Sequence, residues 1–152
     1  MEIEIANSVR LSYCLLIYQP ENIMLDSEGH VRLVDFNLSK RLPDNGRTST
    51  FCGTPAFSAP ELIAIGDTWT HRWGRSECGC DVTEDSYGLA IDWWSLGAVL
   101  HLLVLGHLPF TGNNRNQTFE LIRHAPVELP NDLDPDCRSL LMGLLEKDPD
   151  ER

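Results

Sequence analysis

Asn22 and Asp35 are oxygen-bearing side chains that stand beside two short apolar runs, residues 23–25 and 31–34. Amide and carboxylate oxygens in such places can order a turn locally, or they can serve together as ligands of a hard cation. The local explanation makes Asn22 an Asx turn and Asp35 a turn residue that ends a strand. The motifs around the two side chains decide between these interpretations.

Both side chains belong to a set of four motifs that follow one another in a fixed order. The motifs are Pro20-Glu21-Asn22 before an apolar run, Asp35-Phe36 after one, Gly53-Thr54-Pro55 with Ala59-Pro60-Glu61, and Asp92-Trp93-Trp94-Ser95-Leu96-Gly97. One motif alone is weak evidence, but chance alignment of all four in this order is very improbable. Together they resemble the motif set of the protein kinase family, from about residue 18 to residue 152. Residues 50–55 and 92–97 resemble the AGC group of serine/threonine kinases, which includes the kinases of ribosomal proteins.

The resemblance implies a fold and a reaction. The fold is mainly α with small β-ribbons, the C-terminal lobe of the protein kinase fold, with the N-terminal lobe absent. The family transfers the γ-phosphate of ATP to serine or threonine of proteins and uses Mg²⁺ to neutralise the phosphates. By motif position, the resemblance assigns Asn22 and Asp35 to binding of Mg²⁺ and nucleotide. The implied partners are a protein substrate or a partner kinase.

The resemblance also assigns regulatory and substrate-binding residues. Thr50 matches the activating phosphorylation site, and Gly53, Thr54 and Pro55 match the loop that contacts the substrate peptide. A phosphate on Thr50 would add nearly two negative charges and three acceptors, enough to order a loop against basic side chains. The simpler alternative for Thr50 is an exposed loop hydroxyl.

Three further residues are expected to support the structure. In the family, Glu61 pairs with an arginine that Arg152 matches, and loss of one partner of such a buried pair would cost about 3–5 kcal/mol. Asp92 stands at the start of a predicted buried helix and can act as its N-cap. The resemblance adds that Asp92 braces the catalytic loop through backbone hydrogen bonds.

The sequence departs from the family pattern at the catalytic loop. Ile17 occupies the position of the catalytic Asp, and Gln19 occupies that of the Lys that steadies the transferred phosphate. Leu16 replaces the Arg that would grip a phosphorylated Thr50, and Asn37 replaces the Gly of Asp-Phe-Gly. No Gly-rich loop, strand Lys or helical partner Glu precedes the loop. We therefore expect an inactive form with half an ATP cleft, or a pseudokinase-like module that binds a partner or substrate protein.

Residues 1–19 are interpreted as a divergent N-terminal segment, and residues 20–152 as a partial kinase domain. Leu11 to Gln19 can be encoded mostly by pyrimidine-rich codons that end in CAG, which resembles a translated intron end. On this hypothesis the chain is a truncated isoform or an imperfect gene model. The competing view is true divergence of a pseudokinase.

The spacing of apolar residues predicts the elements that carry these motifs. Residues 23–25 and 31–34 predict a hairpin with its turn at 27–29, followed by a long loop at 36–60 and a surface insertion at about 64–88. Residues 92–105 predict a helix buried on every side. Two shorter helices are predicted at 117–124 and 136–146, the second with a stripe formed by Leu140, Leu141, Leu144 and Leu145.

Composition narrows the classes of partner. The formal net charge of −11 disfavours nucleic acid and anionic lipid, because binding to either requires neutralisation of phosphates by Lys and Arg. Five cysteines without a secretory signal predict free thiols in an intracellular compartment, cytoplasmic or nuclear. A metal site at Cys78, Cys80 and His71 is conceivable but lacks the usual zinc spacing. No apolar run reaches the roughly 18 residues of a membrane span.

Overall fold

The structure is a computed structural model that describes residues 13–14, 19–37, 39–42, 46–49, 54–65 and 86–152. The strands are β1 (Tyr13–Cys14), β2 (Ile23–Leu25), β3 (Val31–Leu33) and β4 (Lys40–Arg41). The helices are α1, described over residues 60–65, α2 (Ala90–Leu105), α3 (Arg115–His124) and α4 (Pro135–Leu144). Two 3-10 turns cover Pro20–Asn22 and Pro55–Phe57. The described residues thus agree with a mainly helical fold that carries small β-ribbons.

The strands β2 and β3 form the predicted hairpin. They pair antiparallel, with Ile23 opposite Leu33 and Leu25 opposite Val31. Gly29 closes the turn with a φ of 85°, a left-handed conformation that glycine adopts without steric cost. The hairpin prediction is confirmed, although β3 ends one residue earlier than expected.

Asp26 organises the same turn through its carboxylate. The carboxylate accepts backbone N–H groups of Glu28 at 3.0 Å and His30 at 2.9 Å, and Nε of Arg32 at 3.1 Å. The hydrogen bond from the His30 amide is the largest of the effects that lower the pKa of Asp26. The Asp26 carboxylate therefore stabilises the turn that joins β2 to β3.

The long loop predicted at residues 36–60 contains regular structure, so this prediction is wrong in part. β4 lies within it and pairs antiparallel with β1, with Tyr13 opposite Arg41. The turn Pro55–Phe57 follows later in the same stretch. The pairing of β4 with a strand more than 20 residues earlier has no signal in the local sequence.

The helix α2 forms the centre of the described core. It begins at Ala90 and ends where Gly106 takes a φ of 80° and donates its N–H to the carbonyl of Leu102. Its buried side chains pack in one cluster with side chains of α1 and α3 and with Leu145, the C-cap residue of α4. The cluster includes Leu62, Ile63, Ile65, Tyr87, Ile91, Trp94, Ala98, Ile122 and Leu145. The predicted burial on every side is wrong, because Trp93, Leu103 and Val104 are about half exposed or more.

Polar side chains begin the two shorter helices. The side chain of Asn114 accepts the N–H of Gln117 at the start of α3, and that of Asp134 accepts the N–H of Cys137 at the start of α4. Both predicted helices are confirmed, and α4 ends at Leu144, two residues early. The leucine stripe divides, because Leu141 and Leu145 are buried whereas Leu140 is 54% exposed.

The edges of the predicted insertion at 64–88 belong to the core, which corrects its bounds. Ile65 is the last described residue of α1 and is 2% exposed, and Tyr87 is 1% exposed. The stretch is rich in glycine and polar residues, so its composition did not indicate that these two side chains are buried. Residues 66–85, which include the cysteine pair and His71, lie outside the described residues. Across the part of the chain that is described, no helix is both long enough and apolar enough to span a bilayer.

Candidate functional site

The β2–β3 hairpin brings Asn22 and Asp35 to the same end. The 3-10 turn closes when the N–H of Asn22 bonds to the carbonyl of Gln19 at 2.9 Å, and the carbonyl of Asn22 in turn accepts the N–H of Val34 at 2.9 Å. Val34 therefore lies across from Asn22, and Asp35 is the next residue along the chain. Asn22 is buried, at 8% exposure, whereas Asp35 faces solvent. The hairpin thus offers one anchored amide and one accessible carboxylate.

Asp35 has an unusual backbone conformation. Its φ of 60° is the only positive value at a non-glycine residue in the described parts of the chain. Asp tolerates the left-handed region better than most residues, but it still costs about 1–2 kcal/mol. Its carboxylate accepts the N–H of Asn37 at 3.3 Å, which partly supports the conformation.

The donor set at this end of the hairpin fits a hard cation. Mg²⁺ accepts one or two protein oxygens and completes its octahedral shell with waters and substrate phosphates. Within the described residues, no group of three or more His, Cys, Asp or Glu side chains could hold a metal ion by itself. Asn22 and Asp35 therefore suit a cation that arrives with phosphate oxygens better than a fully protein-bound metal.

A second contact joins the turn at 20–22 to the turn at 55–57. The hydroxyl of Thr54 donates to Oε1 of Gln19 at 2.6 Å. The carbonyl of Thr54 accepts the hydroxyl of Ser58 at 3.2 Å, and Pro55 begins the turn between them. Gln19 and Thr54 are 35 residues apart in sequence, so this link was not expected. Of the other predicted site residues, Ile17, Thr50 and Gly53 lie outside the described residues.

Glu61 and Arg152 form a bidentate ion pair. The two guanidinium nitrogens reach the two carboxylate oxygens at 2.8 and 3.2 Å, and the Arg152 side chain is completely buried. Arg152 also donates to the carbonyls of Ala90 and Glu146, both at 2.9 Å, and its guanidinium lies 5.1 Å from the ring centroid of Trp94. One side chain therefore joins α1, the start of α2 and the end of the chain.

Asp92 is not the N-cap of α2, which corrects the sequence prediction. The cap position belongs to Leu89, and the N–H of Asp92 bonds to the carbonyl of Leu89 at 3.0 Å. Asp92 lies inside the first turn and is buried at 9% exposure. A carboxylate in the first turn still interacts favourably with the positive end of the helix dipole.

Lys147 lies beside the ion pair and was not singled out from the sequence. Its ammonium group is 3.8 Å from the ring centroid of Phe110 and 5.0 Å from that of Trp94, and it donates to the carbonyl of Ile122. Burial is the main effect that lowers the pKa of Lys147 to about 8, with Arg152 adding to the decrease and Glu146 opposing it. The only sequence signal is a lysine placed three residues after the last residue of α4.

A model of the protein kinase domain family matches residues 18–152, almost the whole chain. The chain belongs to this family. Its curated relatives include the RAC-beta serine/threonine-protein kinases of Rattus norvegicus, 40% identical over 133 residues, and of Homo sapiens, 39% identical. The RAC-beta serine/threonine-protein kinase A of Xenopus laevis is 40% identical. Each match covers 87% of this chain and 24% of the relative, so the chain spans about a quarter of these kinases' length.

These matches confirm the family and the AGC-type serine/threonine kinase kinship that the motifs predicted. The kinase motifs lie on the elements just described: the Pro-Glu-Asn motif on the 3-10 turn before β2, and Asp-Phe after β3. The Ala-Pro-Glu motif leads into α1, and Asp-Trp-Trp lies in the first turns of α2. Sequence reasoning missed the Gln19–Thr54 bond and the strained backbone of Asp35, since neither follows from residue type.

Proposed function

We propose that residues 20–152 are the C-terminal-lobe part of a kinase domain, and that this part binds Mg²⁺ and phosphate without transferring the phosphoryl group. The observation that carries the proposal is the hairpin end, where the Asn22–Val34 hydrogen bond sets Asn22 beside Asp35 in its strained conformation. Bound there, Mg²⁺ would neutralise phosphate charge. Asn22 would hold one oxygen ligand in a fixed, buried place, and Asp35 would supply a negative charge from the solvent side.

Two positions before the hairpin lack the side chains that phosphoryl transfer needs. Ile17 has no atom that can accept the proton of a substrate hydroxyl, so the general base of the family is missing. Gln19 stands where the family has a lysine, and its amide oxygen accepts the hydroxyl of Thr54. The neutral amide also cannot offset the charge of a phosphate in transfer.

The surviving surface supports a noncatalytic binding role toward a protein. Residues 54–58 are held by the Thr54–Gln19 and Ser58–Thr54 bonds, and Glu61 ties the helix that follows to Arg152. A peptide-binding loop held in place before its ligand arrives loses less conformational entropy on binding. We propose a protein substrate or a partner kinase as the ligand, inside the cell, in cytoplasm or nucleus. For a longer chain that carries an intact catalytic loop, the proposal is ATP-dependent phosphorylation of serine or threonine, as the names of the relatives suggest.

A phosphotransfer assay tests the proposal. The purified chain is incubated with Mg²⁺, radiolabelled ATP and a mixture of serine- and threonine-containing peptides, beside an Asp35→Ala variant as the background control. We expect the same incorporation of phosphate in both. Transfer by the wild-type chain that the Asp35→Ala variant loses would contradict the proposed inactivity. Equilibrium dialysis with ATP and Mg²⁺ should show weaker nucleotide retention by the variant, and equal retention would contradict the binding role.

A further inference from the structure

Two short segments that are remote in sequence clasp each other just before α2. Thr48 and Tyr87 exchange both backbone hydrogen bonds, at 2.9 and 2.8 Å, as an antiparallel bridge. Tyr87 is 1% exposed and packs in the core beside Ile91. We call residues 46–49 and 86–88 the clasp. It attaches the stretch before Thr50 to the rigid base of α2.

The side chain of Arg47 extends the clasp onto Ser86. Its Nε donates to the hydroxyl oxygen of Ser86 at 2.7 Å, and a terminal guanidinium nitrogen donates to the carbonyl of Ser86 at 2.5 Å. The hydroxyl is therefore an acceptor at the mouth of a guanidinium fork. Ser86 is partly exposed, and its contact with Arg47 lies on the solvent side. A planar fork of N–H donors is the arrangement that binds phosphate oxygens most strongly.

We propose that Ser86 is a phosphorylation site and that its phosphate strengthens the clasp through Arg47. The hydrogen bond from the Arg47 guanidinium to one neutral hydroxyl oxygen would become an ion pair with a phosphate dianion that presents three acceptor oxygens. Such a pair orders a loop when the arginine already points at the modified residue, because less conformational freedom is lost. The proposal does not depend on binding of metal or nucleotide at Asn22 and Asp35.

The chemistry needs an external enzyme. The Ser86 oxygen attacks the γ-phosphorus of ATP held by a separate serine kinase, the bond from that phosphorus to the ADP oxygen breaks, and the hydroxyl proton passes to that kinase's base. The products are phosphoserine, ADP and a proton. The chain itself is not the catalyst, because Ile17 offers no base.

The Arg47–Ser86 site would supply the arginine–phosphate contact that Leu16 in the catalytic loop cannot make. Leu16 carries no charge that could bind a phosphate on Thr50. Arg47, three residues before Thr50, is a cation and already contacts Ser86. Phosphate on Ser86 would bind Arg47 and so hold residues 46–49 against residues 86–88, which lead into α2. The position of the segment would then be regulated through the clasp and not through the catalytic loop.

The effect of the phosphate is tested with phosphoserine incorporated at position 86 by genetic code expansion. Hydrogen exchange of the Thr48 and Tyr87 amides should slow by about fivefold to tenfold, the gain expected when a hydrogen bond from the guanidinium to a neutral oxygen becomes an ion pair. The slowing should vanish with Arg47→Ala and be reduced with Arg47→Lys, which keeps the charge but not the fork. Phosphoserine at Ser139, an exposed position on α4, is the matched control and should leave both amides unchanged.

Unchanged or faster exchange with phosphoserine at 86, or slowing that survives Arg47→Ala, would overturn the proposed clasp mechanism. The modification itself is tested by mass spectrometry of the chain produced in eukaryotic cells with phosphatase inhibitors. Phosphate on Ser86 is expected there, and its absence would overturn the site.

Discussion

At the scale of residues, one arginine shows how burial and complete hydrogen bonding make an ion pair matter. Arg152 is fully buried, yet its guanidinium contacts both oxygens of Glu61 and several backbone carbonyls. Exposed pairs contribute little because water screens them, whereas a buried cation that loses its carboxylate keeps the full cost of desolvation. The same sequence contains a pair with an exposed carboxylate, Glu120 with Arg123, that serves as a control.

Replacing Glu61 by Gln is therefore expected to lower the free energy of unfolding by about 3 kcal/mol, near the low end for a broken buried pair because carbonyls still contact Arg152. Glu120→Gln should cost less than about 0.5 kcal/mol, since Glu120 is mostly exposed. Urea denaturation of both variants measures the difference. Equal losses in the two variants would mean that burial of the Glu61–Arg152 pair has no energetic consequence.

Lys147 gives a prediction about pH. Its pKa is about 8 in the folded chain against 10.5 as the ordinary value, so between these values the unfolded state binds a proton that the folded state does not. The free energy of unfolding should therefore rise with pH across this window, and the cost of the buried ammonium is fully present below pH 8. Because Lys147 is only half buried, solvent screening limits the effect to about 1 kcal/mol.

Lys147→Met should be more stable than the wild type near pH 7 by about that amount, and the advantage should shrink near pH 10. Methionine keeps the contact with the rings of Phe110 and Trp94 without a charge to desolvate. The only other lysine of the chain, Lys40, provides the matched variant Lys40→Met. Urea denaturation at both pH values checks the prediction, and an advantage of Lys147→Met that does not depend on pH would refute it.

At the scale of elements, the close contact between α2 and α4 depends on a glycine. A Cβ added to Gly97 would lie 2.8 Å from Cβ of Leu144 and 3.1 Å from a terminal carbon of Leu145. The absence of a side chain at Gly97 thus lets α2 and α4 pack closely. This packing supports the start of α2, to which residues 86–88 of the clasp are joined. Gly143, in α4 itself, has no atom within 4 Å of the same virtual position.

Gly97→Ala should destabilise the chain by about 1–3 kcal/mol, because the backbones of α2 and α4 must separate. Gly143→Ala should be neutral or stabilising by up to about 1 kcal/mol, since alanine is the better helix former and meets nothing. Thermal unfolding of the two variants separates packing from helix propensity. Destabilisation by both substitutions, or by neither, would contradict the described contact.

Elements with a local signal could be predicted, and those that rest on remote pairing could not. The β2–β3 hairpin and helices α2, α3 and α4 follow from apolar spacing, turn residues and caps that lie close together in sequence. The β1–β4 ribbon and the Thr48–Tyr87 bridge join segments about 27 and 39 residues apart, which no local pattern encodes. At the site, the motifs predicted which residues matter, whereas the φ of Asp35 and the acceptor role of Gln19 depend on three-dimensional contacts.

At the scale of the whole molecule, long-range links tie the candidate site to the helical layer. The Glu61–Arg152 pair spans 91 residues, the clasp spans 39 and the Gln19–Thr54 bond spans 35. With a formal net charge of −11 the acidic side chains repel one another, so contacts that place the few cations beside them stabilise the folded chain. We propose that this framework presents Asn22 and Asp35 to a metal-bound phosphate, with Ile17 and Gln19 at the positions that the kinase motif gives to Asp and Lys.

The most direct measurement uses Mn²⁺ in place of Mg²⁺, with ATP, on the ¹⁵N-labelled chain. The paramagnetic ion should broaden the side-chain amide signal of Asn22 and the backbone amide signal of Asp35, and Asp35→Asn should abolish both effects. Glu28→Gln, an exposed position at the opposite end of the hairpin, is the matched control and should preserve them. Broadening that survives Asp35→Asn, or that appears only around Glu28, would contradict metal binding at Asn22 and Asp35.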